Sequence, residues 1–287
     1  MALEYGILLA LASMMAWGVY DFTIAIVSRK VGALRTSLWV TVVTALAFAL
    51  LLITYGIPAL TLPQLMLTLS VAVAAVVGIL SFTKAFRVGQ VTVVSPIVSA
   101  WVVVTILLSI VLLNEKLDPV QSVGIMAIIL GGVLISFKWD DLVHVRWKNA
   151  MKGVGYALLS LCASGFYFFL LSVLTSQIGW FPAAFLYNIP MIAMFIVIGA
   201  ATERRIAFPI DRYGILTIVV GVLSFAAVLT YSAAVSYSYT ALVAAIVSAS
   251  PILTVMLAMA LLKERLRYSQ LFGIAMVIAG LIAVSFW

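Results

Sequence analysis

The chain has 287 residues, of which 66% are hydrophobic and only 9% charged, and it carries a formal net charge of +7 at pH 7. Soluble proteins carry roughly 25% charged residues, so this composition excludes a soluble globular domain. It also excludes reading the basic excess as a nucleic-acid footprint: Lys and Arg in short loops face anionic lipid and the cytoplasm.

Ten apolar runs of about 18–25 residues are each long enough to cross a hydrocarbon core of ~30 Å. They fall near 3–27, 33–56, 63–86, 91–113, 119–137, 150–173, 180–200, 211–236, 240–262 and 268–286. The first is too long for a signal-peptide core and lacks a basic start, so it is read as a retained helix. Its Ser13, Trp17 and Tyr20 or Asp21 share one helix face at steps of three and four. Such a stripe either lines a wet cavity or lets small residues pack closely.

Asp21 is read as about six residues from the end of that span, and Lys84 is similarly placed in the third. Charges inside a span are costly and often functional. An Asp21–Lys84 or Asp21–Arg87 pair is geometrically possible, and these charges serve either substrate or proton coupling or a structural ion pair or gate. The fourth span offers Thr92, Ser95 and Ser99, with Pro96 among them. Asp118-Pro119-Val120-Gln121 reads as the start of the fifth, with Asp as cap and Gln reaching back. In that span Gly124 and Gly131 lie seven residues apart on one face, a close-packing signal.

Charges, Trp and aliphatics mix in the stretch from Lys138 to Lys148, which suits a linker lying in the headgroup layer. Beyond it, Ser160, Ser164 and Tyr167 repeat the stripe of the first span. Pro190, beside Tyr187 and Asn188, and Pro251, beside Ser248 and Ser250, are candidate breaks in the seventh and ninth spans. Tyr231 adds an aromatic group near the end of the eighth.

Two halves of the chain repeat each other. At an offset of 149, Ile97-Val98-Ser99-Ala100 falls on Ile246-Val247-Ser248-Ala249, and Glu115, Gln121, Gly124 and Gly131 fall on Glu264, Gln270, Gly273 and Gly280. At an offset of 147, Ser13, Gly18, Tyr20 and Gly32 meet Ser160, Gly165, Tyr167 and Gly179. With five spans per half, the second copy must start on the opposite side from the first. The predicted fold is thus all-α and polytopic, with two inverted five-helix repeats at 1–142 and 143–287. Because Pro251 matches Val102, a kink at that position is expected in the second half alone.

Charge sets the orientation. Of the sixteen Lys and Arg residues, only Lys116 falls in a loop or terminus on the side of Met1. The matched loops Asn114-Glu115-Lys116 and Lys263-Glu264-Arg265-Leu266-Arg267 differ accordingly. Basic loops stay in the cytoplasm, so both termini are expected outside the plasma membrane and the central loop inside.

The one cysteine, Cys162, and the one histidine, His144, allow no intrachain disulfide and no cysteine metal cage. No His–Glu–x–x–His, no acid pair within a span and no phosphate-binding loop is present. Catalysis, a metal and a cofactor are therefore not expected. The partners expected are the lipid bilayer and a small-molecule substrate, with no nucleic acid; the oligomeric state stays open, and a monomer is compatible with the sequence. An inverted duplication in a membrane chain marks a secondary transporter whose solute path lies between the halves. Substrate contacts are expected from Ser13, Trp17, Tyr20, Ser99, Tyr167, Tyr187, Asn188, Tyr231 and Ser248, and coupling or gating from Asp21, Lys84 and Pro251.

The stretch from Lys84 to Ile97, with Leu112-Leu113-Asn114-Glu115-Lys116-Leu117 and Gly124, resembles the EamA-type drug/metabolite transporters. So do Ser250-Pro251-Ile252-Leu253-Thr254 with Leu261-Leu262-Lys263-Glu264-Arg265-Leu266, and the pair Trp17-Gly18. The resemblance implies a ten-helix carrier that exports or exchanges small metabolites, such as amino acids or amphipathic compounds, by alternating access. Its paired proline is present as Pro251 and replaced by Val102. The four-helix multidrug relatives use an acid deep in helix one; here the acids of the first span are Glu4 at its start and, as read, Asp21 near its end, so their coupling scheme is not expected to carry over. Rival readings are an uptake carrier, a lipid-linked sugar flippase, or a non-transporting receptor or scaffold.

Overall fold

The computed structural model describes residues 2–56, 58–136, 147–202, 206–262 and 268–285. The linker expected at 138–148 and the division at 142/143 fall largely or wholly outside them. Among the described residues, ten helical spans are each long and apolar enough to cross a membrane. They comprise thirteen helices: α1 (Ala2–Val31), α2 (Ala33–Tyr55), α3 (Leu62–Val88), α4 (Val91–Ser99), α5 (Trp101–Leu112), α6 (Pro119–Ser136), α7 (Trp147–Ile178), α8 (Trp180–Leu186), α9 (Asn188–Ala201), α10 (Arg212–Val235), α11 (Thr240–Val247), α12 (Pro251–Leu262) and α13 (Tyr268–Ser285). In hydrocarbon each backbone N–H and C=O must be satisfied within the protein, which a helix does for itself.

The ends of the helices follow local chemistry. The Asp118 carboxylate accepts from the Val120 N–H at 2.8 Å while Gln121 Oε1 accepts from the Asp118 N–H at 3.1 Å. That is the reciprocal cap expected for the fifth span. Gly32 and Gly179, equivalent in the repeat, lie at φ 93° and 88°. Both let the chain reverse between consecutive spans in a conformation that side chains resist. Leu50, Val123 and Ile215 lie on the exposed outer surface, where lipid rather than water is the solvent.

The two halves are inverted, and the small residues prove it. A Cβ on Gly124 would lie 2.9 Å from the carbonyl oxygen of Gly280, and one on Gly131 would lie 2.6 Å from that of Gly273. As numbering rises along α6 it falls along α13, so these equivalent helices run antiparallel. A two-fold that exchanges them must be perpendicular to both, in the membrane plane. The same exchange relates the packing of α1 on α10 to that of α7 on α3. Gly6 abuts Ser238 in the first, and Gly153 abuts Gly89 in the second.

Spans four, seven and nine are interrupted. α4 gives way to α5 at Ala100, and α11 to α12 through 248–250. The kink expected only at Pro251 is therefore present in both halves, at the same place in the repeat. What the halves share there is Ile-Val-Ser-Ala, not proline. Ser99 donates to the Ser95 carbonyl at 2.9 Å and Ser248 to that of Ala245 at 2.7 Å. A serine bonded back onto its own helix is one of the groups that can bend it. The seventh span breaks at Tyr187, just before Asn188-Ile189-Pro190, whereas its repeat counterpart α2 is continuous.

Candidate functional site

Four hydroxyls tie the halves together around the centre. Ser13 donates to the Ala227 carbonyl at 2.8 Å and its mate Ser160 to that of Gly78 at 3.1 Å. Thr254 donates to the Gly18 carbonyl at 3.0 Å and its mate Thr105 to that of Gly165 at 2.9 Å. Each donor and acceptor lie in different halves, and the repeat exchanges the pairs. Gly18 and Gly165 permit the approach: a Cβ on either would come within 3 Å of the carbonyl oxygen of Ser250 or Trp101, respectively.

Aromatic rings fill the junction that these bonds frame. Phe168 on α7 is its hub. It stacks on Trp101 at 4.2 Å between centroids and meets Trp17, Tyr167 and Tyr231 edge-on at 6.1, 4.8 and 4.9 Å. Trp17 in turn meets Tyr20 edge-on at 4.9 Å. Such arrangements match the negative faces and positive edges of the rings. The buried phenols have partners within the protein: Tyr167 and Tyr187 share a hydrogen bond at 2.9 Å, and Tyr231 donates to the Phe168 carbonyl at 3.1 Å.

Asp21 sits beside the break in span nine, where Ser250 Oγ donates to its carboxylate at 3.4 Å. The first helix continues to Val31, so Asp21 lies about ten residues, or ~15 Å, from the helix end. It is deeper than the sequence suggested. Lys84 lies only four residues from the end of α3, with its ammonium over the Tyr156 ring at 4.4 Å. The two charges thus lie at different depths, and the partners they have are Ser250 for Asp21 and the Tyr156 ring for Lys84.

The predicted residues thus divide into groups. Trp17, Tyr20 and Asp21 are half-buried and gather at the junction. Tyr167, Tyr187 and Tyr231 gather there too, but are buried with their hydroxyls engaged. Ser13 is fully buried and spends its hydroxyl on α10. Ser99 shares a hydrogen bond with Ser136 at 2.9 Å, joining α4 to α6. Ser248 bonds within its own helix. Asn188 gives its amide hydrogens to the Ala184 and Phe185 carbonyls at 2.8 and 3.1 Å, closing the break in span seven. Pro251 opens α12. Trp101 and Phe168 escaped the sequence reading of the site, and Ser250 entered it only as a neighbour of Pro251. The signal for them lay in repeat positions that differ: Phe168 stands where the first half has Asp21, and Trp101 where the second has Ser250.

Away from the centre, Glu115 accepts from the N–H groups of Thr240 and Ala241 at 2.7 and 2.9 Å. It joins a loop of the first half to the start of α11 in the second. Its repeat mate Glu264 lies outside the described residues. On the same membrane face a shallow hollow of about 500 Å³ is lined by Tyr55, Pro58, Trp180 and Phe181, among others. Among the described residues no cluster of His, Cys, Asp and Glu could hold a metal ion.

The architecture is that of a membrane protein built from two inverted five-helix repeats. The model of the EamA-like transporter family matches residues 4–137 and 151–286. The chain belongs to that family, and so to a family of membrane transporters. A solved crystal structure resembles it with a TM-score of 0.78 at 15% identity, over 98% of this chain and 96% of that one. That likeness shows the fold. No curated protein matches the sequence.

Proposed function

We propose that this protein is a secondary transporter of the plasma membrane that exports or exchanges small amphipathic metabolites, amino acids among the candidates, by alternating access. Both termini lie outside the cell and the central loop inside. The observation that carries the reading is the junction itself. A half-buried carboxylate and a cluster of rings meet between two inverted halves, level with breaks in two equivalent spans. Broken helices at a repeat interface expose backbone groups to a solute and provide joints for rocking one half against the other.

Counterflow into proteoliposomes across a metabolite panel tests the proposal, because it needs no assumed driving force. Trans-stimulated uptake of at least one amphipathic solute is expected. Absence of flux for every solute, from protein shown to be folded, would favour a receptor or scaffold instead.

A further inference from the structure

The two halves are alike in backbone at the junction and unlike in chemistry. In one equivalent pair Asp21 meets Ser250 through a hydrogen bond at 3.4 Å; in the other Phe168 stacks on Trp101 at 4.2 Å. The centre therefore has a polar end on α1 and an apolar end on α7.

The polar end has bonding capacity to spare. A carboxylate can accept about four hydrogen bonds, and Asp21 receives one long bond from Ser250. One turn earlier on the same face of α1, the indole Nε1 of Trp17 is buried without a hydrogen-bond partner among the described residues. An unpaired donor in such a place costs energy, and a charge costs more. An acceptor with capacity to spare thus lies one helical turn from a donor without a partner; both residues are half-buried, and the indole nitrogen itself is covered in this conformation, so a solute reaches it only as the halves move.

We propose that the solute is an amphipathic amine that also carries a hydrogen-bond acceptor close to its nitrogen. Its protonated nitrogen is held by Asp21, its acceptor (a carboxylate, ester or amide oxygen) by Trp17 Nε1, and its apolar body by Phe168 and the rings around it. This assignment rests on the transport reading and gives the solute a fixed orientation across the junction. Asp21 and Trp17 are its specificity-determining residues. A neutral or anionic analogue leaves the carboxylate unpaired and is rejected more strongly than a shorter apolar body would be.

Three probes of one apolar body test it on the purified protein by ligand-induced thermal shift and tryptophan fluorescence. Phenylalaninamide offers amine and acceptor, phenethylamine the amine alone, and 3-phenylpropanamide the acceptor alone. Affinity is expected to fall about fivefold from the first to the second, and by about tenfold or more from the first to the third, as charge-assisted bonds outweigh neutral ones. Asp21→Asn, close in shape, should erase the preference for amines. Trp17→Phe should erase only the advantage of phenylalaninamide over phenethylamine. Equal or tighter binding of 3-phenylpropanamide, an unchanged ranking in Asp21→Asn, or binding of none of the three would overturn the assignment. Counterflow of other solutes would then still support transport, whereas loss of flux throughout would remove the reading beneath it.

Discussion

Ser13, Thr105, Ser160 and Thr254 show what a small hydroxyl does between membrane helices. Lipid is as apolar as leucine, so burial alone does not bring helices together; close packing and interhelical hydrogen bonds do. Each bond of this kind contributes about 0.6 kcal/mol. Replacing both Thr105 and Thr254 by Val should therefore cost about 1 kcal/mol, read as a lowered thermal midpoint in detergent. Glu115 should matter more, because its charge meets two N–H groups at a helix start. Glu115→Ala is expected to destabilise by about 1–2 kcal/mol and Glu115→Gln by less, measured the same way. Equal stability of Glu115→Ala and the native chain would contradict the capping role.

At the scale of elements, the α6–α13 pair is an exacting contact. Its four glycines place backbone against backbone, leaving no space for a methyl group. Gly131→Ala should cost about 1–3 kcal/mol through overpacking. Gly155→Ala, where an added Cβ meets nothing within 4 Å, should be neutral or slightly stabilising. Matched unfolding measurements on the two variants separate close approach from helix propensity. The broken spans teach a related lesson. Pro251 stands out in the sequence, yet span four breaks at the equivalent place without a matching proline. What the two breaks share is the sequence Ile-Val-Ser-Ala, whose serine bonds back to a carbonyl of its own helix in each half.

At the scale of the molecule, the inverted repeat places equivalent loops on opposite faces, so a difference in their charge reports on the two compartments. In a Cys162→Ser background, Lys116→Cys should be labelled by an impermeant thiol reagent on intact cells. Arg212→Cys should be labelled only after the membrane is opened. The reverse pattern would place the termini in the cytoplasm.

The sequence by itself determined the ten spans, the duplication and its inversion. Spans follow from the thickness of hydrocarbon, and inversion from an odd number of crossings per repeat. It also marked Gly124, Gly131 and the Asp118 cap, because these act through neighbours at fixed helical spacing. Only the tertiary structure decided which polar groups are already spent. Ser13 and Asn188 were as suggestive in the sequence as Trp17 and Asp21, yet they give their hydrogens to carbonyls of the protein. Asp21 and Lys84 seemed level until α1 proved longer than its apolar run. Hydrogen bonding between spans depends on depth and rotation, and a one-dimensional pattern fixes neither.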